Sequence, residues 1–323
     1  MHSPNHRIHQ AFAAAKERGE AALIPYITGG YCTSQDTPGN LLAMQRGGAD
    51  IIELGIPCDN PYADGPTIAN AHKTAVQNGT RGIKPCLGYI STARAMGLTV
   101  PVILMGYSGD FDQYDGGLDQ FCQDAAASGL DGVLAVGVPF RMEIDFNTMC
   151  FENGLSFIAL VFPDDNEERI EDLVNMSSTF IYVVSAKGKT GMRDTLPEGL
   201  NERVSQVRSK TSLPLVIGFG ISNPSMVQGV ADLSDGVVVG SFLTSTLEKG
   251  AGTGSTTEDR AKILQDNVSI LNTGTAQSDT ASNQASQFSQ VPPYLESESL
   301  MKSLRAKNHW KLVRNVFKAI QLC

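Results

Sequence analysis

Residues 51–66 read IIELGIPCDNPYADGP. Two apolar residues, Ile51 and Ile52, deliver an acid, Glu53, before Gly55 and Pro57 break the run. A loop rich in Pro, Asn and Asp then ends in a second acid, Asp64, eleven positions on. Acids are rare in apolar strand patterns unless they are paired or used, because an isolated buried charge is costly. A strand holds one carboxylate rigidly, and the loop can bring the other to the opposite side of a small ligand. That arrangement suits general acid–base work.

Further apolar runs lie on either side of this stretch, at 22–28, 102–105, 132–136, 157–161, 180–184, 215–218 and 237–240. With 51–54 they form a series of short segments bounded by Gly, Pro or Asp and apolar on both faces, as strands covered on both sides must be. Helix-length stretches such as 40–48, 118–128, 166–175 and 224–233 separate them, and 9–19 reads as an opening helix. Eight strand–helix units across about 240 residues predict a (β/α)8 TIM barrel in the α/β class. A doubly wound open sheet is the alternative, since periodicity carries no information about closure.

The balance of the chain narrows the function classes. With 323 residues, 41% hydrophobic and 18% charged, it has the composition of a soluble globular protein. A net charge of −9 argues against general nucleic-acid binding and against anionic membrane surfaces. No apolar run approaches the roughly 20 residues of a spanning helix, and the N-terminus lacks a secretory apolar block, so a cytoplasmic enzyme is expected. The six cysteines have no CxxC spacing and read as reduced, mostly buried thiols. His2, His6 and His9 crowd the N-terminus and read as part of a solvated tail, with no metal site expected.

After Lys249 the composition shifts. Residues 272–290 are rich in Ser, Thr, Gln and Asn, as in a linker. Residues 260–271 read as the last barrel helix. The end, 300–323, recovers helical apolar spacing with interleaved basic residues, as an amphipathic tail. The expected organisation is a barrel over 1–271, a disordered polar linker over 272–299 and a helical tail over 300–323.

Barrel enzymes work at the C-terminal ends of their strands. Those ends supply Tyr26 from the first run, Glu53 and Asp64 from the second, Tyr107 from the third and Tyr182 from the sixth. KGKTG (187–191), GFGIS (218–222) and VGSFL (239–243) follow the sixth, seventh and eighth runs. Gly-bearing turns that open helices let backbone N–H groups approach a phosphate, and barrels commonly build phosphate sites after strands seven and eight. The pattern predicts a small phosphorylated substrate.

IIELGIPCDNPYADGPTIANA closely resembles the acid-bearing segment of the tryptophan synthase α subunit family. YVVSAKGKTG resembles its mobile loop after strand six, and IGFGISNP and VVVGSFL resemble its phosphate-binding turns, with similarity extending over about 11–271. The resemblance implies a lyase that cleaves indole-3-glycerol phosphate into indole and glyceraldehyde 3-phosphate by a retro-aldol step, without a cofactor, in tryptophan or specialised indole metabolism. It implies Glu53 as the acid–base group, Asp64 as the carboxylate holding the indole N–H, and Tyr182 beside the glutamate. Tyr26 stands where the family usually has Phe against the indole, Tyr107 belongs to the substrate-binding set, and Thr190 is the loop threonine that closes over the site. Gly191, Gly220, Gly240 and Ser241 are the implied phosphate contacts. A β-type subunit is the implied partner.

The chain also departs from that family. Gly137 replaces an aspartate in strand four, Gly109 an amide after strand three, Asn60 a carboxylate in the strand-two loop and Ala186 a common arginine. Lys189 stands where a small apolar residue is usual. These losses cluster around loop ordering and β-subunit contact, implying a weakened interface. Residues 287–304 resemble the start of the β unit in fungal α–β fusions, which points to a truncated relative of such a fusion. Two other functions stay open. A repurposed barrel could act on another phosphorylated substrate, such as a prenyl diphosphate, given the DDxxE-like 164–168; the macrodipole preference favours reading those residues as a polar loop and the acidic first turn of a helix. A non-catalytic regulatory α-like subunit is the other.

Overall fold

Alternation along the strands explains the architecture. In the computed structural model, which describes residues 6–278 except 186–195, 219, 222, 251 and 253, every strand pairing is parallel. The strands are β1 (Ala22–Thr28), β2 (Ile52–Gly55), β3 (Val102–Tyr107), β4 (Gly132–Val136), β5 (Ser156–Phe157), β6 (Ala159–Val161), β7 (Ile181–Val184), β8 (Leu215–Gly218) and β9 (Gly236–Val239). They follow the order β5-β4-β3-β2-β1-β9-β8-β7-β6. The two ends of that order, β5 and β6, are neighbours in the chain, separated by Ile158 alone. Ser156 and Phe157 pair with β4, whereas Ala159 to Val161 pair with β7. They are two halves of one strand, so the sheet is a (β/α)8 barrel. The fifth run was expected as one uninterrupted strand. It divides because its two halves bond to different neighbours.

Successive strand residues point to opposite faces. Leu23, Ile27, Leu54, Leu104, Val133 and Ile217 face outward into the apolar layer shared with the helices. Ile24, Tyr26, Ile103, Met105, Leu134 and Val216 belong to a second cluster, which fills the barrel interior. Glu53 shares that inward parity, lying in register with Tyr26 on β1 and Ile103 on β3. A carboxylate therefore occupies a layer position that its neighbours fill with apolar side chains.

The opening helix α1 (His6–Glu17) closes one end of the barrel: Ile8, Phe12 and Ala15 join the interior cluster, and the Phe12 ring lies 5.4 Å from that of Phe180. The helix starts earlier than expected. His6 and His9 belong to it rather than to a solvated tail, because burial of Ile8 and Phe12 anchors this segment; His2 lies outside the described residues. With that end plugged, a cavity can open only at the mouth formed by the strand C-termini.

The last described helix, α2 (Thr257–Asn272), is held by a buried ion pair of Arg260 with Asp36 and by a capping box between Thr256 and Asp259. The expected linker begins at 272, yet the chain stays bound to the barrel up to Ser278. Ala21 N–H donates to Thr275 O, Gln277 N–H donates to Gly19 O, and the Gln277 amide donates to Ala231 O and Ser234 O. Those are backbone-directed bonds, which polar composition does not reveal. The remainder of the expected linker and the whole expected helical tail, 279–323, lie outside the described residues. All described residues belong to the first of the two units into which the chain divides, Met1–Ala285. The five described cysteines are free thiols.

The Phe12 plug generates a stability prediction. Phe12→Ala should lower unfolding free energy by about 3–5 kcal/mol, read from urea denaturation midpoints, because the cavity left at the barrel end cannot collapse.

Candidate active site

A cavity of about 360 Å³ opens at the C-terminal mouth, and Tyr26, Glu53, Asp64, Tyr182, Gly220, Gly240 and Ser241 all line it. Its volume suits a small metabolite. The remainder of the wall is mainly apolar, with Ile68, Met105, Leu134, Leu160 and Val238 among its residues. Tyr107 lies outside the lining. Its hydroxyl donates to Asp64 Oδ2 at 2.6 Å, so it supports the acid from behind. Thr190 and Gly191, and the Ala186 and Lys189 departures with them, lie outside the described residues.

The two acids are in different electrostatic conditions. Glu53 is 6% exposed and accepts no hydrogen bond from a described residue, so none of these offsets its loss of water. Burial, and secondarily the charge of Asp64, push its pKa up to about 8 from the ordinary 4.5. Asp64 is 3% exposed but receives the Tyr107 hydroxyl and faces the His72 Nε2 at 3.7 Å. A bond donated to a carboxylate favours its charged form. Where two carboxyl groups share one cavity, a single proton is thus best placed on Glu53. Burial first, and the nearby carboxylates second, raise the phenols of Tyr26, Tyr107 and Tyr182 well above their usual range, so all three remain O–H donors.

Local sequence explains the placements. Tyr182 sits on β7 at an inward position, and its hydroxyl rests against Gly218 on β8, where a Cβ would leave it no room. Gly240 precedes helix α3 (Ser241–Gly250), whose first-turn N–H groups lack intrahelical acceptors, so the cavity has an anion-favouring end. Gly220, with φ +91°, lines the same cavity on the loop after β8.

Sequence reading missed Phe162 and Pro163 and weighed Asp164 only within the acidic stretch 164–168. All three line the cavity from the loop after β6. They follow the fifth apolar run, and the strand-end rule applied to that run would have found them. The acidic stretch 164–168 divides its labour: Asp165 accepts the Phe162 N–H, Asn166 caps helix α4 (Glu167–Met176), and Glu167 pairs with Lys210. No cluster of three metal-ligating side chains occurs among the described residues.

The Gly137 departure has a structural partner. Gly137 has φ +80°, and a Cβ there would collide with the Tyr62 hydroxyl, which donates to Val136 O at 3.4 Å. The Tyr62 ring lies 4.5 Å from that of Tyr107. Tyr62 thus occupies the space in which a strand-four side chain would stand. The new acid Asp59 pairs with Arg81, but both are more than half exposed, so the pair contributes little.

Comparison with known proteins agrees with this geometry. The sequence model of the family described as Tryptophan synthase alpha chain matches residues 12–273. The chain is 42% identical over 240 residues to "Tryptophan synthase" of Saccharomyces cerevisiae, covering 74% of this chain and 34% of that protein, so it spans about a third of the yeast protein's length. It is 37% identical over 246 residues to the "Tryptophan synthase alpha chain" of Geotalea daltonii, covering 76% of this chain and 92% of that one. Among solved structures, a Mycobacterium tuberculosis tryptophan synthase chain superposes with a TM-score of 0.74 at 28% identity, covering 84% of this chain and 98% of that one. Tryptophan synthase subunit alpha of Legionella pneumophila gives 0.72 at 29% identity, covering 83% and 98%.

The Glu53 environment has a signature in stability. Its pKa is raised on folding, so the stabilisation from burying the neutral acid is complete below about pH 4.5 and is lost as pH rises through about 8. Glu53→Gln should match wild type in denaturation at pH 4 and exceed it by about 2–4 kcal/mol at pH 9. Equal stabilities at both pH values would show that Glu53 titrates as an ordinary carboxylate.

Proposed function

Because the chain belongs to the tryptophan synthase alpha chain family, we propose that it cleaves indole-3-glycerol phosphate to indole and glyceraldehyde 3-phosphate. The observation that carries the reading is the placement of Glu53 and Asp64 on one mainly apolar cavity whose wall also includes Gly220, Gly240 and Ser241. An indole ring suits the apolar wall. The phosphate suits the glycine turns and the α3 N-terminus.

The residues then have definite tasks. With a pKa near 8, Glu53 is mostly neutral at pH 7 and donates its proton to indole C3. Positive charge develops at the ring nitrogen, and the Asp64 carboxylate, held by Tyr107, accepts the N–H and stabilises that charge. The Glu53 carboxylate next removes the proton from the side-chain hydroxyl. The C–C bond breaks, its electrons restore the aromatic ring, and the hydroxyl carbon becomes the aldehyde. Glu53 ends protonated, as it began, so the cycle balances. Tyr26 contributes the aromatic wall, and Tyr182 stands beside the glutamate. Thr190 and Gly191 are assigned to loop closure and phosphate contact by family resemblance alone.

A β-type subunit is the proposed partner, with Asn60, Gly109 and Gly137 altering the surface that would meet it. No helix among the described residues is long and apolar enough to cross a membrane, consistent with a cytoplasmic setting. No observation favours a prenyl diphosphate substrate, since Asp165, Asn166 and Glu167 have structural partners.

The test is an indole-release assay on the purified chain with indole-3-glycerol phosphate, alone and with a β subunit. Turnover is expected, with kcat falling about 10²–10⁴-fold in Glu53→Gln. No indole under either condition, with phosphate-ligand binding retained, would overturn the assignment.

A further inference from the structure

Behind the cavity, one imidazole ties together parts of the site that are far apart in the chain. His72 lies in helix α5 (Pro66–Gln77), which begins two residues after Asp64, and it is fully buried. Its Nδ1 accepts the backbone N–H of Cys58 at 3.2 Å. Because that nitrogen is an acceptor, the ring proton resides on Nε2. Nε2 lies 3.2 Å from the Tyr26 hydroxyl and 3.7 Å from Asp64 Oδ2. The Tyr26 hydroxyl is also 3.2 Å from Thr28 Oγ1.

Two features keep this ring a neutral donor. Protonating Nδ1 would set two N–H groups against each other at Cys58. Burial acts in the same direction, lowering the pKa to about 4. One ring therefore engages the start of the acid-bearing loop at Cys58, stands over the loop's last acid at Asp64, and bonds the aromatic wall on β1 through Tyr26. The strand that carries Glu53 is fixed by its own ladder. The loop that carries Asp64 has no such ladder, so its register against the strand depends on side-chain ties of this kind.

We propose that His72 is the positioning residue for Asp64, fixing where that carboxylate stands in the cavity shared with Glu53. The inference rests on the reading of Asp64 as the anchor of the indole N–H. It assigns a second task to Tyr26, whose hydroxyl gives the imidazole an additional bond on the barrel wall.

Two polar substitutions separate the two ends of the ring. Asn at 72 keeps an oxygen near the Nδ1 position, facing the Cys58 N–H, but withdraws the donor from Asp64 and Tyr26. Gln reaches the Nε2 position and gives up the Cys58 contact. The measurement is the Kd of a non-cleavable indole-3-propanol phosphate for the full chain by calorimetry, with kcat and KM for indole-3-glycerol phosphate alongside. His72→Asn should weaken probe binding about tenfold and His72→Gln less than about threefold, because Asn removes both the Nε2–H that faces the Asp64 carboxylate at 3.7 Å and its bond to the Tyr26 hydroxyl. In an Asp64→Asn background, the two substitutions should differ by less than about twofold, since a residue that acts through Asp64 has nothing left to position. Wild-type affinity in His72→Asn would overturn the proposal. So would an equal loss in both backgrounds, which would mark plain packing. A wild-type chain that neither binds the probe nor releases indole would overturn the functional reading itself, and this inference with it.

Discussion

A carboxyl group at an inward position of a barrel strand has lost its water, and what the neighbouring strands offer decides its protonation state. Around Glu53 they offer apolar and aromatic side chains, and the loop after β2 adds one like charge, Asp64. The remaining features of the site follow from that asymmetry. Tyr107 and His72 face Asp64, and Glu53 has no donor among the described residues. The proton that two nearby acids share is assigned before any substrate arrives. The group holding it sits on the rigid element, and the charged group sits on a loop tied down by side chains.

The alternation that aims Glu53 inward also builds the cavity. Each strand sends every second residue to the interior, and α1 plugs the far end, so the open volume collects at the mouth where strand C-termini meet the loops. Glycines make the mouth deep enough. Gly218 gives the Tyr182 hydroxyl its place, and Gly220 and Gly240 let backbone line the cavity. A barrel interior packed to its rim would bind nothing.

The fold was legible because the strand runs are short, apolar on both faces and regularly separated. The acids were legible because carboxylates do not persist in such runs without a use. What escaped has physical reasons. The split of the fifth strand depends on bonding to different neighbours, and sequence records no neighbours. The ordered course of 273–278 depends on bonds to backbone partners, two of them from the Gln277 amide, and a polar composition does not show where such bonds land. His72 looks like an ordinary residue in AHKTAV, and only the return of α5 beneath the loop brings its ring to Cys58, Asp64 and Tyr26. Gly137 reads in the sequence as a bare loss, and only the folded structure shows Tyr62 filling the vacated space. Phe162 and Asp164 stand just past the end of the fifth run, where the strand-end rule places site residues.

The central claim is that Glu53 is neutral at physiological pH while sharing a cavity with a charged Asp64. Its most direct test is a carbon-13 NMR titration of side-chain carboxyl resonances in the full chain, with Glu53 assigned by its disappearance in Glu53→Gln. The account predicts a midpoint near 8. A midpoint between about 4 and 5, the ordinary range for glutamate, would contradict it.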